Sequence, residues 1–80
     1  MRVRLLFFAS YAEAFGLAEQ ELELPSGATV ADLVAELRQD PRASRLPPSP
    51  LVAVNHRYAR LEASLTDGDE VALIPPVAGG

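Results

Sequence analysis

The sequence predicts an α+β domain in which one main helix crosses a small sheet. Three observations carry that expectation. Residues 18–24 alternate with the period of a strand, and residues 2–8 read as a strand that alternates at its start and turns apolar on both faces toward its end. Val30, Leu33, Val34 and Leu37 recur with the period of a helix. A tight turn at Asp67, Gly68 and Asp69 leads into a further apolar strand, Glu70–Ile74. With 80 residues, 49% of them hydrophobic, the chain is read as one domain with a small core and a tail at 75–80.

Each element has its own local reason. In the first strand Val3, Leu5 and Phe7 point one way, and Arg2, Arg4, Leu6 and Phe8 the other. The second set turns apolar toward its end, so both faces should be covered there. Ser10 is the expected cap of a short helix over 11–15, with Gly16 as its stop. In the second strand Gln20, Leu22 and Leu24 face inward, while Glu19, Glu21 and Glu23 face water. Pro25, Ser26 and Gly27 turn the chain. Thr29 stands three residues before Asp32, a capping-box variant that starts the main helix over 30–39. Pro41, Pro47, Pro48 and Pro50 make 40–50 a loop without regular structure. Leu51–Val54 is a short buried strand, 55–57 a turn and 58–60 a short return strand. Residues 61–66 are irregular or a helical turn. In the last strand Val71 and Leu73 point inward, and Ala72 and Ile74 outward.

Charge and composition exclude several functions. The net charge is −4, and all seven basic residues are Arg. Phosphate-backbone binding needs clustered positive charge, so no nucleic acid is expected, and a docking partner should carry basic groups. There is no Cys, which excludes a thiol nucleophile and thiolate metal sites. No apolar run is long enough for a bilayer and no signal peptide is evident, so a cytoplasmic chain without a membrane partner is expected. His56, the only histidine, lies in a turn with no carboxylate pair or second histidine nearby and reads as a solvated residue. Asp67, Asp69 and Glu70 lack the spacing of a calcium loop and read as a turn. No metal site, bound cofactor or side-chain active site is expected.

Two features remain to be explained. The first is the end of the sequence: Pro75, Pro76, Val77, Ala78, Gly79 and Gly80. Prolines stiffen an extended exit, and glycines pass through channels that would reject a Cβ. Six extended residues reach about 20 Å at most. Such a tail presents its terminal carboxylate to a partner's active site. The second is the outward set Leu6, Phe8, Tyr58 and Ile74. Helix packing buries one sheet face only. Either the 40–50 loop folds over these residues or they form a partner interface, and the interface is the favoured reading.

The quoted residues resemble a known family. Arg4–Ala9 (RLLFFA), Ala53-Val54-Asn55, and Asp67-Gly68-Asp69-Glu70-Val71-Ala72 leading to Pro75-Pro76-Val77-Ala78-Gly79-Gly80 resemble the sulfur-carrier subunits of molybdopterin synthase. The resemblance spans the chain and is most specific at its end. It implies the β-grasp, or ubiquitin-like, fold, with the last strand central and beside the first. It implies that an adenylating enzyme of the ubiquitin-activating type uses Mg-ATP to activate Gly80. A sulfur donor, such as a cysteine desulfurase or a rhodanese-like protein, then leaves a thiocarboxylate. The tail would deliver that sulfur to cyclic pyranopterin monophosphate inside the large catalytic subunit. Phe8, Tyr58 and Ile74 would match the family's apolar contact surface. The alternatives are a sulfur carrier of the thiamine or another thiolation pathway, and a non-catalytic β-grasp interaction module.

Overall fold

The computed structural model describes residues 1–75. Pro76, Val77, Ala78, Gly79 and Gly80, on which most of the tail expectation falls, lie outside the described residues. In chain order the elements are β1 (Arg2–Phe7), α1 (Ala9–Phe15), β2 (Glu19–Glu23), α2 (Val30–Leu37), a 3-10 turn (Pro41–Arg45), β3 (Leu51–Val54), β4 (Arg57–Ala59) and β5 (Glu70–Ile74). The strands form one sheet in the order β2-β1-β5-β3-β4. Only the central β1–β5 pair is parallel, with Leu5 beside Val71 and Phe7 beside Leu73. The other neighbours are antiparallel. The last strand therefore lies beside the first at the centre of the sheet, as the expected β-grasp requires.

The core occupies one face of this sheet. Val3, Leu5, Phe7, Val52, Val71 and Leu73 meet Val30, Leu33, Val34 and Leu37 of α2, and all are buried. Burying side chains of this size stabilises the fold by about 1.5–3 kcal/mol each before entropy is counted. From α1, Phe15 stacks on Phe7 with ring centroids 4.4 Å apart and planes 15° from parallel.

The main helix begins as its sequence requires. The Thr29 amide donates to Asp32 Oδ2 at 2.9 Å, and the Asp32 amide to Thr29 Oγ1 at 3.3 Å, closing a capping box. The amides of Val30 and Ala31 donate to the carbonyls of Ala63 and Leu61. The irregular 61–66 segment thus satisfies helix-end donors that would otherwise be orphaned. The helix stops two residues before the expected Gln39, where the Gln39 and Asp40 amides reach back only three residues.

Three local expectations need correction. Ser10 does not cap α1. Phe8 occupies the N-cap with extended backbone, φ −119° and ψ 153°, and makes no side-chain cap bond. The chain turns at Ala9 in a left-handed conformation, φ 46°, so Ser10 is already inside the helix. Gly16 ends α1 as expected, at φ 73°. The proline-rich loop is not wholly irregular, because Pro41 is tolerated in the first turn of a 3-10 helix capped by Asp40. Leu51 is not buried; it is 47% exposed.

Candidate functional site

Strand alternation places Leu6, Phe8, Ala72 and Ile74 on the face opposite α2. Ala53 and Leu51 of β3 join them, since Ala53 pairs with Ala72 and Leu51 with Ile74. Tyr58 pairs with Ala53 across the β3–β4 hairpin and extends the same face. All four residues singled out from the sequence come together here. Phe8 is 49% and Tyr58 73% exposed.

The 40–50 loop does not cover this face. It packs on the helix side, where Ala43 and Leu46 are buried in the main core. Arg42 fastens it there. Its guanidinium lies 5.5 Å from the centre of the Phe15 ring and donates to the Phe15 carbonyl at 2.6 Å. That carbonyl belongs to the end of α1, where a cation satisfies orphan acceptors. Asp40 receives the Arg42 amide and side chain at 2.8–3.2 Å. These bonds hold the Asp40 carboxyl below the usual carboxylate range.

Polarity changes along the open face. Near the start of β1, Arg2 pairs with Glu23 at 3.0 Å, and Arg4 pairs with Glu19 at 3.7 Å and with Glu70. The hydrogen bond from Arg4 to Glu70 is the main cause that raises the Arg4 pKa above its usual value. Toward Phe8 and Ile74 the charges give way to apolar side chains. This apolar end is where β5 runs out into Pro75.

Leu6, Phe8, Ala53, Tyr58, Ala72 and Ile74 line a shallow concavity of about 300 Å³, with His56 and Glu70 at its polar end. His56 is a solvated turn residue, with 88% of its side chain exposed, yet a carboxylate stands near it. Its Nε2 lies 3.4 Å from Glu70 Oε2. Sequence spacing hid this contact because 14 residues separate the two positions along the chain. Leu51 was detectable in principle, as it shares strand parity with the outward residues once β3 is paired with β5.

The acidic turn has structural work. Asp67 Oδ1 accepts the Arg2 amide at 2.7 Å. Asp69 accepts the Thr66 amide at 2.8 Å and the Asn55 side-chain amide at 2.9 Å. Asn55 Oδ1 in turn accepts the Glu70 amide at 3.0 Å. The turn therefore locks the β3–β4 hairpin to the start of β5.

Comparison with known proteins decides the family. The ThiS family model matches residues 5–80. The chain belongs to the ThiS family. Over its full length it is 39% identical to the molybdopterin synthase sulfur carrier subunit of Chlamydomonas reinhardtii, covering 100% of both chains. The relatives thus carry the family name that the sequence motifs pointed to. Among solved structures, the small archaeal modifier protein 1 of Haloferax volcanii superposes with a TM-score of 0.89 at 30% identity, covering 100% of both chains. A subunit in the complex of subunits 1 and 2 of the molybdopterin-converting factor of Helicobacter pylori gives 0.76 at 26%, again covering 100% of both chains. A ubiquitin of Caldiarchaeum subterraneum gives 0.66 at 22%, covering 100% of this chain and 98% of that one, which bears on the fold alone. The fold is the ubiquitin-like β-grasp. No helix among the described residues is long and apolar enough to cross a membrane.

Proposed function

We propose that this chain is a sulfur-carrier subunit of molybdopterin synthase. The observation that carries the reading is the open apolar face at the end of the sheet where β5 leads into Pro75. A surface there can dock a partner while the following residues enter its active site. The relatives' names and the Helicobacter pylori complex support the same assignment.

The chemistry is that of the Gly80 carboxylate. An ionised carboxylate is a poor electrophile and must be activated. An adenylating enzyme of the ubiquitin-activating type joins it to the AMP portion of Mg-ATP, releasing pyrophosphate. The outer sulfur of a persulfide on a desulfurase or rhodanese-like donor attacks the acyl carbon and expels AMP. A second thiol on the donor side then cleaves the resulting acyl disulfide, forming a disulfide with the donor sulfur and releasing the thiocarboxylate. In the large catalytic subunit that sulfur passes to cyclic pyranopterin monophosphate, and the carboxylate is restored. Two carriers in turn supply the two sulfurs of the dithiolene. Pro75, Pro76, Val77, Ala78 and Gly79 serve as the inserted tail, and no side chain of this chain is asked to catalyse.

Intact mass after incubation with an activating enzyme, Mg-ATP and a sulfide source tests the proposal. The expected result is replacement of one oxygen by sulfur, mapped to Gly80. An unchanged mass with a demonstrably competent activating enzyme would refute it. The likeness to the Haloferax volcanii modifier favours a second reading, transfer of the tail to an amine of another protein. An isopeptide-linked adduct ending in Gly80 would establish that activity.

A further inference from the structure

The concavity on the open face is not a uniform apolar surface. Its floor is formed by Ala53 and Ala72, which the register sets side by side between Leu6 and Tyr58, so that their small side chains leave a slot closed at its apolar end by Phe8 and Ile74. One end of the slot is a carboxylate. Glu70 is only 20% exposed through its side chain, takes Arg4 on one oxygen, and has His56 at 3.4 Å from the other. A carboxylate offers about four acceptor sites, so Glu70 retains capacity toward the slot. Arg4 is shared between Glu70 and Glu19, which leaves this group of three with one net negative charge.

His56 stands at the second position of the β3–β4 turn with φ 73°. Glycine would occupy that conformation without steric cost, whereas a residue with a side chain is strained there. The imidazole that this position carries instead lines the slot beside Glu70.

These facts restrict what can fill the slot. A wholly apolar group would strip water from Glu70 and return no hydrogen bond. A side chain with an apolar stem and a cationic head matches both the alanine floor and the carboxylate end. We infer that the docking partner inserts one arginine or lysine side chain between Leu6 and Tyr58, its stem over Ala53 and Ala72, its head on Glu70 and His56 walling that end. The inference rests on the docking reading proposed above and names the chemistry of the partner's contact.

The test is calorimetric titration of the full chain with the large subunit of molybdopterin synthase at several salt concentrations. Glu70→Gln should lower affinity by about tenfold at low salt, the scale of one charge-assisted contact, and flatten the salt dependence. Arg4→Gln removes the internal competitor and should bind at least as tightly as the parent. His56→Gly should raise the melting temperature yet weaken binding severalfold, a combination that a merely structural role does not produce. Glu70→Gln binding like the parent at every salt concentration, while Phe8→Asp abolishes binding, would overturn the cationic contact and leave the docking face standing. Parent-like binding by Phe8→Asp would remove the docking face and this inference with it.

Discussion

The two faces of β1 differ by a single step along the backbone. Val3, Leu5 and Phe7 are at most 2% exposed beneath α2, α1 and the 3-10 turn. Leu6 and Phe8, between and after them, belong to a face that no element of the described chain covers. Both sets are rich in large apolar side chains, so hydrophobicity alone does not separate the core from the open face. Topology does. The helices and the 40–50 loop all pack on the same side, so the second apolar set stays open in the described chain, where the proposed partner would dock.

The strongest way to sharpen this contrast is to damage each face separately. On the covered side, Phe15→Ala removes the partner of Phe7 and the seat of Arg42. It should cost about 3–5 kcal/mol in urea unfolding. A loss below about 1 kcal/mol would mean that the helix side is not the principal core. On the open side, Phe8→Asp should change unfolding free energy by only about 0.5 kcal/mol, as expected for a half-exposed residue. The same variant should weaken binding to the large subunit by more than about tenfold, because it buries an unpaired charge at the interface. Loss of stability with unchanged binding would erase the distinction between the faces.

The smallest expected effect concerns the clamp that keeps the loop on the covered side. Hydrogen bonds from Arg42 depress the Asp40 pKa in the folded state. Its contribution is therefore complete above the unfolded value of about 3.9 and is lost as pH falls through the folded value. Asp40→Asn should lower the melting temperature slightly at neutral pH, and the difference from the parent should close in acid. Both partners are partly exposed, so the effect is small. A melting-temperature difference that stays constant from neutral to strongly acid pH would show that the clamp is not electrostatic.

Most strands and the main helix were legible because their signals are local. Alternation along β1 and β2, the Thr29–Asp32 capping box and the Asp67-Gly68-Asp69 turn each lie within a few residues. The failures came where a neighbour in space overrules a local preference. Ser10 has the chemistry of a cap, but the extended Phe8 at the N-cap and the left-handed turn at Ala9 place it inside the helix. Pro41 looked like a breaker and instead opens a short 3-10 turn. Leu51 looked buried within an apolar run, but only its pairing with Ile74 reveals which face it occupies.

The candidate site divides in the same way. Leu6, Phe8, Tyr58 and Ile74 were readable as outward-facing from strand parity, and the family from its motifs. Side-chain period is a property of the local backbone, so a sequence carries it directly. The polar end of the site was not readable. Glu70, His56 and Arg4 lie on three different segments, and only the central placement of β5 between β1 and β3 brings their charges together. Which side the 40–50 loop covers was likewise left open by its sequence. The contact of Arg42 with Phe15 decides it, because hydrogen bonding and packing between distant segments depend on the assembled sheet and not on local pattern.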